Sequence, residues 1–549
     1  MSPSATRARA LVTALVASGV RDVVLAPGSR SAPLAYALHA AERAGWLELH
    51  VRIDERSAAF VALGIARHRP AAVVTTSGTA VANLYPAVLE AAHSGLPLLA
   101  ITADRPHELR GVGANQTTDQ VKLFGSAVRY FAELPADDDA PGRGIDAVTT
   151  RAVLAATGTR TRAPGPAHLN VAFRDPLVPD GEWSPGPVPG PLQVVASSGG
   201  APVELPRGPR TVVVAGDGAA RVADPGIVAG WGWPVIAEPS SGLCHVPTAV
   251  LAGRIAVEVL GAQVERVVVL GKPTLSRPVG RLLARTDIEV LVASGSADWA
   301  DVTGTAQQVV DGISPTGPAG AAEQAWVTRW LRASAAAARV LDQPRELDGP
   351  AVAAAMLHAG GTVLLGASMA VRDADLVCAD AARGTQIVAN RGLAGIDGTL
   401  STGAGLALAT GRPVRVLVGD LTFQHDLGGL ARGPLETEVD LQVIVLNDDG
   451  GSIFATLEHG ERAETFERIF RTPQGLDLAS LATGFGARYT EVVDAERLAG
   501  VLASPLSGRS VVEVRLDGAT ARERNQRLSD SIRAAMAAAA DESDGSTAT

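Results

Sequence analysis

A chain of 549 residues is too long for a single hydrophobic core and suggests about three domains of ordinary size. Its apolar fraction of 46% is normal for a globular protein and supplies material for several cores. The net charge of −10 gives no electrostatic footprint for nucleic acid or an anionic membrane, and no apolar run approaches the roughly 20 residues that span a bilayer.

The first 180 residues alternate short β-branched runs with longer helical patterns. Buried parallel strands are predicted at DVVLAP, AAVVTTSG and LPLLAITADRP, with Ala/Leu-rich helices between them. Each strand ends in a Gly/Ser/Asp-rich turn, which is where open α/β sheets place their ligands. The N-terminus runs into the first strand without a convincing cleavage site, so we expect a helix there, not a signal peptide, and a cytoplasmic protein.

The rest of the chain divides at changes of composition. Residues 181–210 are rich in Pro, Gly and Ser, as in an extended linker. A central domain at 211–345 is predicted from the strands TVVVAG, WPVIAE, RVVVLG and EVLVAS and a long Ala/Arg helix. A third domain at 350–535 is predicted from GTVLLGAS, TQIVAN, VRVLVGD, LQVIVLND and SVVEVRL. Residues 536–549 lack a core-forming pattern and are expected to be disordered. The predicted fold class is α/β, with three consecutive domains built on mainly parallel sheets.

Two acidic turns of the third domain follow buried strands. Asp420 ends the first strand, and Asp448 ends the second, 28 residues later. Because such positions face the ligand crevice of a parallel sheet, two oxygen ligands for Mg²⁺ would meet there. Glycines after Asp448 would let the backbone approach phosphates and expose a carbonyl. Two ordinary βα turns are the alternative.

This spacing resembles the metal–diphosphate motif of thiamine-diphosphate enzymes, in which the second residue is usually Asn. The resemblance implies Asp420, Asp448 and the carbonyl of Gly450 as ligands of Mg²⁺, with Mn²⁺ as a substitute. Thiamine diphosphate also needs a carboxylate against N1′ of its aminopyrimidine. Glu55 follows a strand and begins a helix in the first domain, so it is predicted to be catalytic; a helix-capping or surface glutamate is the alternative.

Seven long segments occur in one order: APGSRSAPLAYAL, RIDERSAAFVALGIAR, TTSGTAVANLYPAVLEA, LPLLAITADRPHELRGVGANQT, ANRGLAGIDGTLST, GDLTFQHDLGGL and NDDGGSIF. Together they resemble the 2-succinyl-5-enolpyruvyl-6-hydroxy-3-cyclohexene-1-carboxylate synthases, which are transferases of menaquinone biosynthesis. The resemblance covers the first and third domains almost throughout and the middle domain weakly. It implies a pyrimidine-binding first domain, a diphosphate-binding third domain, decarboxylation of 2-oxoglutarate, and 1,4-addition of the succinyl semialdehyde carbanion to isochorismate.

The resemblance also implies the remaining site residues. The two substrates bring four carboxylates, for which arginines are suitable bidentate partners. The implied substrate-binding residues are Ser29, Arg30, Arg105, Gln116, Ser368, Arg372 and Arg391, whereas a substrate role for Arg277 stays open. The implied cofactor-binding residues are Gly395, Ile396, Asp397, Gly398, Ser401, Thr402, Ile453 and Phe454, with plain core packing as the alternative for the last two. His425 is expected to be a structural partner of Asp426.

The resemblance places the active site between the first domain of one subunit and the third domain of another. A homodimer or homotetramer is therefore expected. Two alternatives stay open from the sequence. One is another thiamine-diphosphate enzyme, such as an acetohydroxyacid synthase or a 2-oxo acid decarboxylase, and the other is a non-enzymatic nucleotide-binding α/β protein.

Overall fold

Three large parallel sheets and one two-stranded sheet organise the chain in this computed structural model, which describes residues 2–136, 140, 142, 144–382, 384–457, 463–518 and 520–541. Every strand pair formed by these residues is parallel, which confirms the predicted α/β class. The central strands of these sheets are mostly apolar, as expected where helices cover both faces of a sheet. Within the described residues, no helix is long and apolar enough to cross a membrane.

The first domain contains a six-stranded sheet in the order β2-β1-β3-β4-β6-β5. Its strands are β1 (Asp22–Leu25), β2 (Glu48–Val51), β3 (Ala71–Thr75), β4 (Leu98–Asp104), β5 (Tyr130–Leu134) and β6 (Ala167–Ala172). Its helices are α1 (Pro3–Ala17), α2 (Ala32–Arg43), α3 (Glu55–Ala66), α4 (Thr79–Ala82), α5 (Tyr85–Ser94) and α6 (Ile145–Thr157). A helix therefore precedes the first strand, as the sequence predicts.

The middle domain contains a five-stranded sheet in the order β12-β11-β10-β8-β9 and a separate pair, β13-β7. Its strands are β7 (Val203–Pro206), β8 (Thr211–Ala215), β9 (Val235–Ala237), β10 (Arg266–Leu270), β11 (Glu289–Ala293), β12 (Gln308–Val310) and β13 (Ile313–Thr316). Its helices are α7 (Pro225–Trp231), α8 (Gly253–Leu260), α9 (Arg277–Leu283) and α10 (Ala321–Leu341). Strand β7 lies near the end of the expected linker 181–210, where it pairs with β13 of the middle domain.

The third domain contains a six-stranded sheet in the order β15-β14-β16-β17-β19-β18. Its strands are β14 (Thr362–Leu365), β15 (Gln386–Ala389), β16 (Val414–Gly419), β17 (Leu441–Asn447), β18 (Arg488–Val492) and β19 (Arg509–Arg515). Its helices are α11 (Gly349–Ala359), α12 (Met369–Val377), α13 (Thr399–Thr410), α14 (Asp420–His425), α15 (Ala463–Phe466), α16 (Leu478–Gly484), α17 (Ala495–Ala503) and α18 (Ala521–Asp541).

Helix α18 corrects the prediction of a disordered tail at 536–549. The helix continues to Asp541, and Ile532, Met536 and Ala540 are buried in the core that the middle and third domains share. Their spacing of four residues places these side chains on one face, which packs against α10 of the middle domain. Residues 536–541 are therefore helical, and residues 542–549 lie outside the described part of the chain.

Helices α3 and α13 join the first and third domains within one chain. A Cβ added to Gly64 would lie 2.3 Å from the carbonyl oxygen of Thr402, and one added to Gly405 would lie 2.1 Å from that of Val61. The helices can approach this closely only because both positions lack a side chain. Asp54 caps α3 by accepting hydrogen bonds from the amides of Arg56 and Ser57, so this cap fixes where the helix begins.

Candidate active site

The two acidic turns lie at the ends of the neighbouring strands β16 and β17. Asp420 is buried, and its carboxylate accepts hydrogen bonds from the backbone amides of Leu421 and Gly450. Burial raises the pKa of Asp420 to about 7, and the nearby negative charge of Asp448 adds to the rise. Burial also raises the pKa of Asp448. A cation between the two carboxylates would stabilise their charged forms.

Gly450 gives the second turn its shape. Its φ is +140°, and an added Cβ would lie 2.3 Å from the carbonyl oxygen of Arg471. The next amide, of Gly451, donates to that same oxygen at 2.7 Å. Among the described residues, no group of three acidic, His or Cys side chains could hold a metal ion. Two carboxylates and a backbone carbonyl nevertheless fit a hard divalent cation that takes its other ligands from phosphate and water.

A cavity of about 420 Å³ opens over these turns. Of the predicted site residues, its lining includes Ser368, Arg372, Arg391, Ile396, Asp420, Asp448, Gly450, Ile453 and Phe454. The volume is that of an ordinary small-molecule site. The lining also includes residues that the sequence analysis did not single out, among them Thr274, Asp348, Arg524 and Asn525. No local motif marks these four residues, which come from separate parts of the chain: Thr274 from the middle domain, Asp348 from the cap of α11, and Arg524 and Asn525 from α18.

Two arginines lie side by side at this cavity. Burial lowers the pKa of Arg372, and the positive charge of Arg391 lowers it further. Arg372 Nη1 donates to the carbonyl of Ser368 at 2.8 Å, and Arg391 Nη2 donates to Thr274 Oγ1 at 3.1 Å. Ser368 has a φ of 86°, a strained backbone conformation of the kind that clusters at binding sites. A carboxylate between the two guanidinium groups would relieve their repulsion.

A second arginine pair lies in the first domain. Burial lowers the pKa of Arg105, and the positive charge of Arg30 adds to the decrease. Arg105 Nη1 donates to Ser77 Oγ and, at 2.6 Å, to the carbonyl of Gln116. Arg30 Nη1 donates to the carbonyl of Phe173 at 2.9 Å. The fold thus brings Arg30, Arg105 and Gln116 together, and Ser77 joins them although the sequence analysis did not select it.

Ser29 and Arg277 are both exposed at helix starts, before α2 and in α9, and neither lines the cavity. Gly395 lies close to Asp397, since an added Cβ would be 2.6 Å from its carboxylate. Gly398 has a φ of +59°, and a Cβ there would overlap the ring of Phe60 on α3.

The first turn of α13 is held from within the fold. Ser401 is fully buried, and its amide and hydroxyl donate to the Asp426 carboxylate at 2.7 and 2.9 Å. Burial raises the pKa of Asp426 to about 7. Thr402 Oγ1 donates to the carbonyl of Gly398 at 2.7 Å. The Ser401 and Thr402 hydroxyls therefore both form hydrogen bonds that hold the turn beside Ile396. The expected pairing of His425 with Asp426 is wrong, because Asp426 binds Ser401 and His425 Nδ1 has no hydrogen-bond partner in the structure.

The two arginine pairs do not meet within one chain. Among the described residues, the cavity wall comes from the middle and third domains and contains none of Glu55, Arg30, Arg105 or Gln116. Glu55 begins α3 on another side of the third domain, where Asp54 and Ser57 at the start of the helix face Gly428. The acidic turns and their arginines therefore form one half of a site, and the first-domain residues form another.

Comparisons with known proteins identify the class. The family model described as the N-terminal TPP binding domain of thiamine pyrophosphate enzymes matches residues 5–123, and the model of the C-terminal TPP binding domain matches residues 368–514. The chain is thus a thiamine-diphosphate-dependent enzyme, and one matched region contains Glu55, Arg30 and Arg105 while the other contains Asp420, Asp448 and their arginines.

The similarity to curated relatives is more specific. Several relatives are named 2-succinyl-5-enolpyruvyl-6-hydroxy-3-cyclohexene-1-carboxylate synthase. The relative in Kineococcus radiotolerans is 48% identical to this chain, over 98% of this chain and 100% of the relative. The relative in Renibacterium salmoninarum is 44% identical over 97% of both chains, and that in an Arthrobacter species is 45% identical over 96% and 91%. The chain belongs to this family of transferases, which confirms the resemblance predicted from its motifs.

Proposed function

We propose that the chain decarboxylates 2-oxoglutarate and transfers the remaining succinyl semialdehyde unit to isochorismate by 1,4-addition, as a step of menaquinone biosynthesis. The observation that carries this proposal is the presence of two arginine pairs, one in each half-site, each with one buried and one half-buried member. Two substrates with four carboxylates between them need several such partners, whereas a site for a monocarboxylate would not. The names of the curated relatives support the same reaction.

Mg²⁺ is the proposed metal, bound by Asp420, Asp448 and the carbonyl of Gly450. The buried Asp420 and half-buried Asp448 carboxylates at neighbouring strand ends support this assignment, because burial raises the pKa of both and the negative charge of Asp448 raises that of Asp420 further without a cation. Thiamine diphosphate, when bound, supplies the carbon centre that adds to the substrate keto group and accepts the electrons released with CO₂.

The chain's own residues would prepare the reaction. Glu55 would hold a proton at N1′ of the aminopyrimidine, which favours loss of the proton at the reacting carbon. Ile396, Ile453 and Phe454 would cover the reacting region and exclude water. Excluding water favours loss of CO₂, because charge is dispersed in that step. Arg372 and Arg391 would hold one end of a substrate while the reaction proceeds.

A second copy of the chain is proposed to complete the site, as a homodimer or homotetramer. The support is that Glu55, Arg30 and Arg105 lie outside the cavity of their own chain, although all three match the motifs of the family. The first domain of a partner subunit would bring the same residues to the cavity. The cytoplasmic location remains a prediction.

The test is an assay of the purified chain with 2-oxoglutarate, isochorismate, thiamine diphosphate and Mg²⁺, following CO₂ release and loss of isochorismate. We expect both to depend on both substrates and to disappear in Glu55→Gln, whose fold is checked by circular dichroism. Consumption of pyruvate in place of 2-oxoglutarate, or a flavin absorption band, would favour an acetohydroxyacid synthase. Near-normal turnover in Glu55→Gln would remove the proposed role of this residue.

A further inference from the structure

The turn that carries Arg391 is held by a buried glutamate of the first domain. Glu90 on α5 is 4% exposed, and its two carboxylate oxygens accept hydrogen bonds from the amides of Gly392 and Leu393, both at 2.8 Å. Ser94 Oγ donates to the same carboxylate at 2.8 Å. A bidentate carboxylate on two successive amides fixes both the position and the direction of a turn.

The middle domain holds the same turn from another side. Lys272 Nζ donates to the carbonyl of Gly392 at 2.6 Å, and Thr274, two residues further on, accepts from Arg391. The Glu90 carboxylate lies near enough to Lys272 to favour its charged form, against the opposing effect of burial. The peptide groups on both sides of Gly392 are therefore bound by charged side chains from two different domains.

Among the described residues, few hydrogen bonds orient the Arg391 side chain, although its charge also interacts with the carboxylates of Glu238 and Asp375. Its Nε is buried without a hydrogen-bond partner, and Thr274 accepts from only one of its terminal nitrogens. The turn itself has no room to move toward α5, since a Cβ on Gly392 would lie 2.7 Å from the carbonyl oxygen of Glu90. The direction of the guanidinium therefore depends on where Glu90 and Lys272 hold the backbone.

We propose that Glu90 and Lys272 are positioning residues that aim Arg391 into the cavity, so that all three domains of one chain set the geometry of one substrate contact. This inference rests on the proposed role of Arg391 in binding a substrate carboxylate. Removing one carboxylate oxygen frees one of the two amides and lets the turn rotate. A displacement of about 1 Å at such a contact costs on the order of a hundredfold when it is fully realised.

The experiment compares Glu90→Gln, Lys272→Met, Arg391→Gln and the intact enzyme by steady-state kinetics with each substrate varied in turn. We expect Arg391→Gln to raise the KM of one substrate, and Glu90→Gln and Lys272→Met to raise that same KM about tenfold with kcat within about threefold. Lys272→Arg should recover most of the loss because it keeps a charged donor. Glu323→Gln is the matched control, since Glu323 is also buried and bonded to Arg207, but in the middle domain away from the cavity. It should lower Tm and leave both KM values unchanged.

Hydrogen exchange in the cofactor-free protein provides a measurement independent of catalysis. The amides of Gly392 and Leu393 should exchange at least about tenfold faster in Glu90→Gln, while amides of β16 keep their protection. Normal KM values and normal exchange in Glu90→Gln and Lys272→Met, beside a raised KM in Arg391→Gln, would overturn the positioning role alone. Unchanged KM values in Arg391→Gln would instead overturn the substrate role of Arg391, and the positioning role with it.

Discussion

Gly64 of α3 and Gly405 of α13 form a close crossing between the first and third domains, with Cα of Gly405 lying 3.0 Å from the Cβ position of Gly64. The crossing matters for function because α3 begins at Glu55 and α13 follows the segment that carries Ile396. A side chain at either position would push the two helices apart.

Gly405→Ala is therefore expected to destabilise the protein by about 1–3 kcal/mol, the usual cost of overpacking a core. Turnover should fall as well, since the start of α3 would shift relative to the third domain. Urea unfolding and the assay above measure both effects. Gly500→Ala is the control, because an added Cβ in that helix meets nothing within 4 Å. The crossing would lose its proposed importance if Gly405→Ala were as stable as Gly500→Ala.

His168 on β6 is buried neutral. Its ring lies between those of Phe124 and Phe131, at centroid distances of 4.7 and 5.1 Å. Thr102 donates its hydroxyl proton to Asn170, so His168 Nε2–H is the donor in the 2.8 Å contact with Thr102 Oγ1. His168 Nδ1 is buried without a partner, and burial lowers the pKa of the ring to about 3.

This pKa predicts how stability depends on pH. Between about 6.5 and about 3 the unfolded chain binds a proton that the folded chain does not, so the free energy of unfolding falls as pH falls, by up to about 1.4 kcal/mol per unit. His168→Gln should be less stable at pH 8, by about 1–3 kcal/mol, and should show a shallower fall below pH 6.5. Denaturant unfolding at several pH values tests this. The exposed His39 provides the control, since His39→Gln should keep the original slope. The same slope in both variants would contradict the prediction.

Removal of the Asp420 carboxylate should weaken Mg²⁺-dependent binding of thiamine diphosphate more than a change at Asp448. We expect Asp420→Ala to lower the affinity at least roughly 10- to 100-fold, which is the loss caused even by changes to residues that only hydrogen-bond to a metal ligand. Asp448→Asn keeps an oxygen ligand and should change affinity by less than about tenfold. Calorimetry at several Mg²⁺ concentrations measures both.

Asp449→Asn is the matched control for this measurement. The Asp449 carboxylate accepts from the amides of Gln474 and Gly475, at 3.1 and 2.9 Å, so it holds a neighbouring loop. The affinity of the Asp449→Asn variant for thiamine diphosphate should match that of the unaltered chain. Unchanged Mg²⁺ dependence in Asp420→Ala would show that the metal binds elsewhere.

A site shared between subunits predicts complementation. Glu55→Gln and Asp420→Ala subunits, each inactive alone, should regain about a quarter of the normal activity when co-expressed, because half of randomly paired dimers contain one intact site. Co-expression of Asp420→Ala with Asp448→Ala should restore nothing, since both changes affect the same half-site. Failure of the first pair, with mixed dimers shown by mass spectrometry, would place the whole site in one subunit.

The acidic turns illustrate what could be predicted from sequence. Asp420 and Asp448 each follow a buried apolar run, and the carboxyl ends of adjacent parallel strands meet at one sheet edge. Both the α/β class and this half-site follow from patterns that local segments carry. The sequence analysis did not predict β5 and β18. Both strands contain exposed residues and lack a continuous apolar run, so nothing in their own segments indicates that they pair with β6 and β19.

The tail shows a different limit. The composition of residues 536–541 is compatible with either a frayed end or a helix, and only the partner surface on α10 decides between them. Burial of Met536 supplies a stabilisation that the segment cannot provide for itself. Helical structure at a chain end is therefore a property of the packing and not of the local pattern.

The motifs of this sequence determined the cofactor class, the family and nine of the residues that line the cavity, because each motif is a short run whose chemistry is carried by neighbouring residues. Only the tertiary structure decided that Glu90, 302 residues before Gly392, holds the turn of Arg391, and that Glu55 lies outside the cavity of its own chain. Contacts of this kind depend on how whole domains pack, and the residues that make them carry no mark in their own segments.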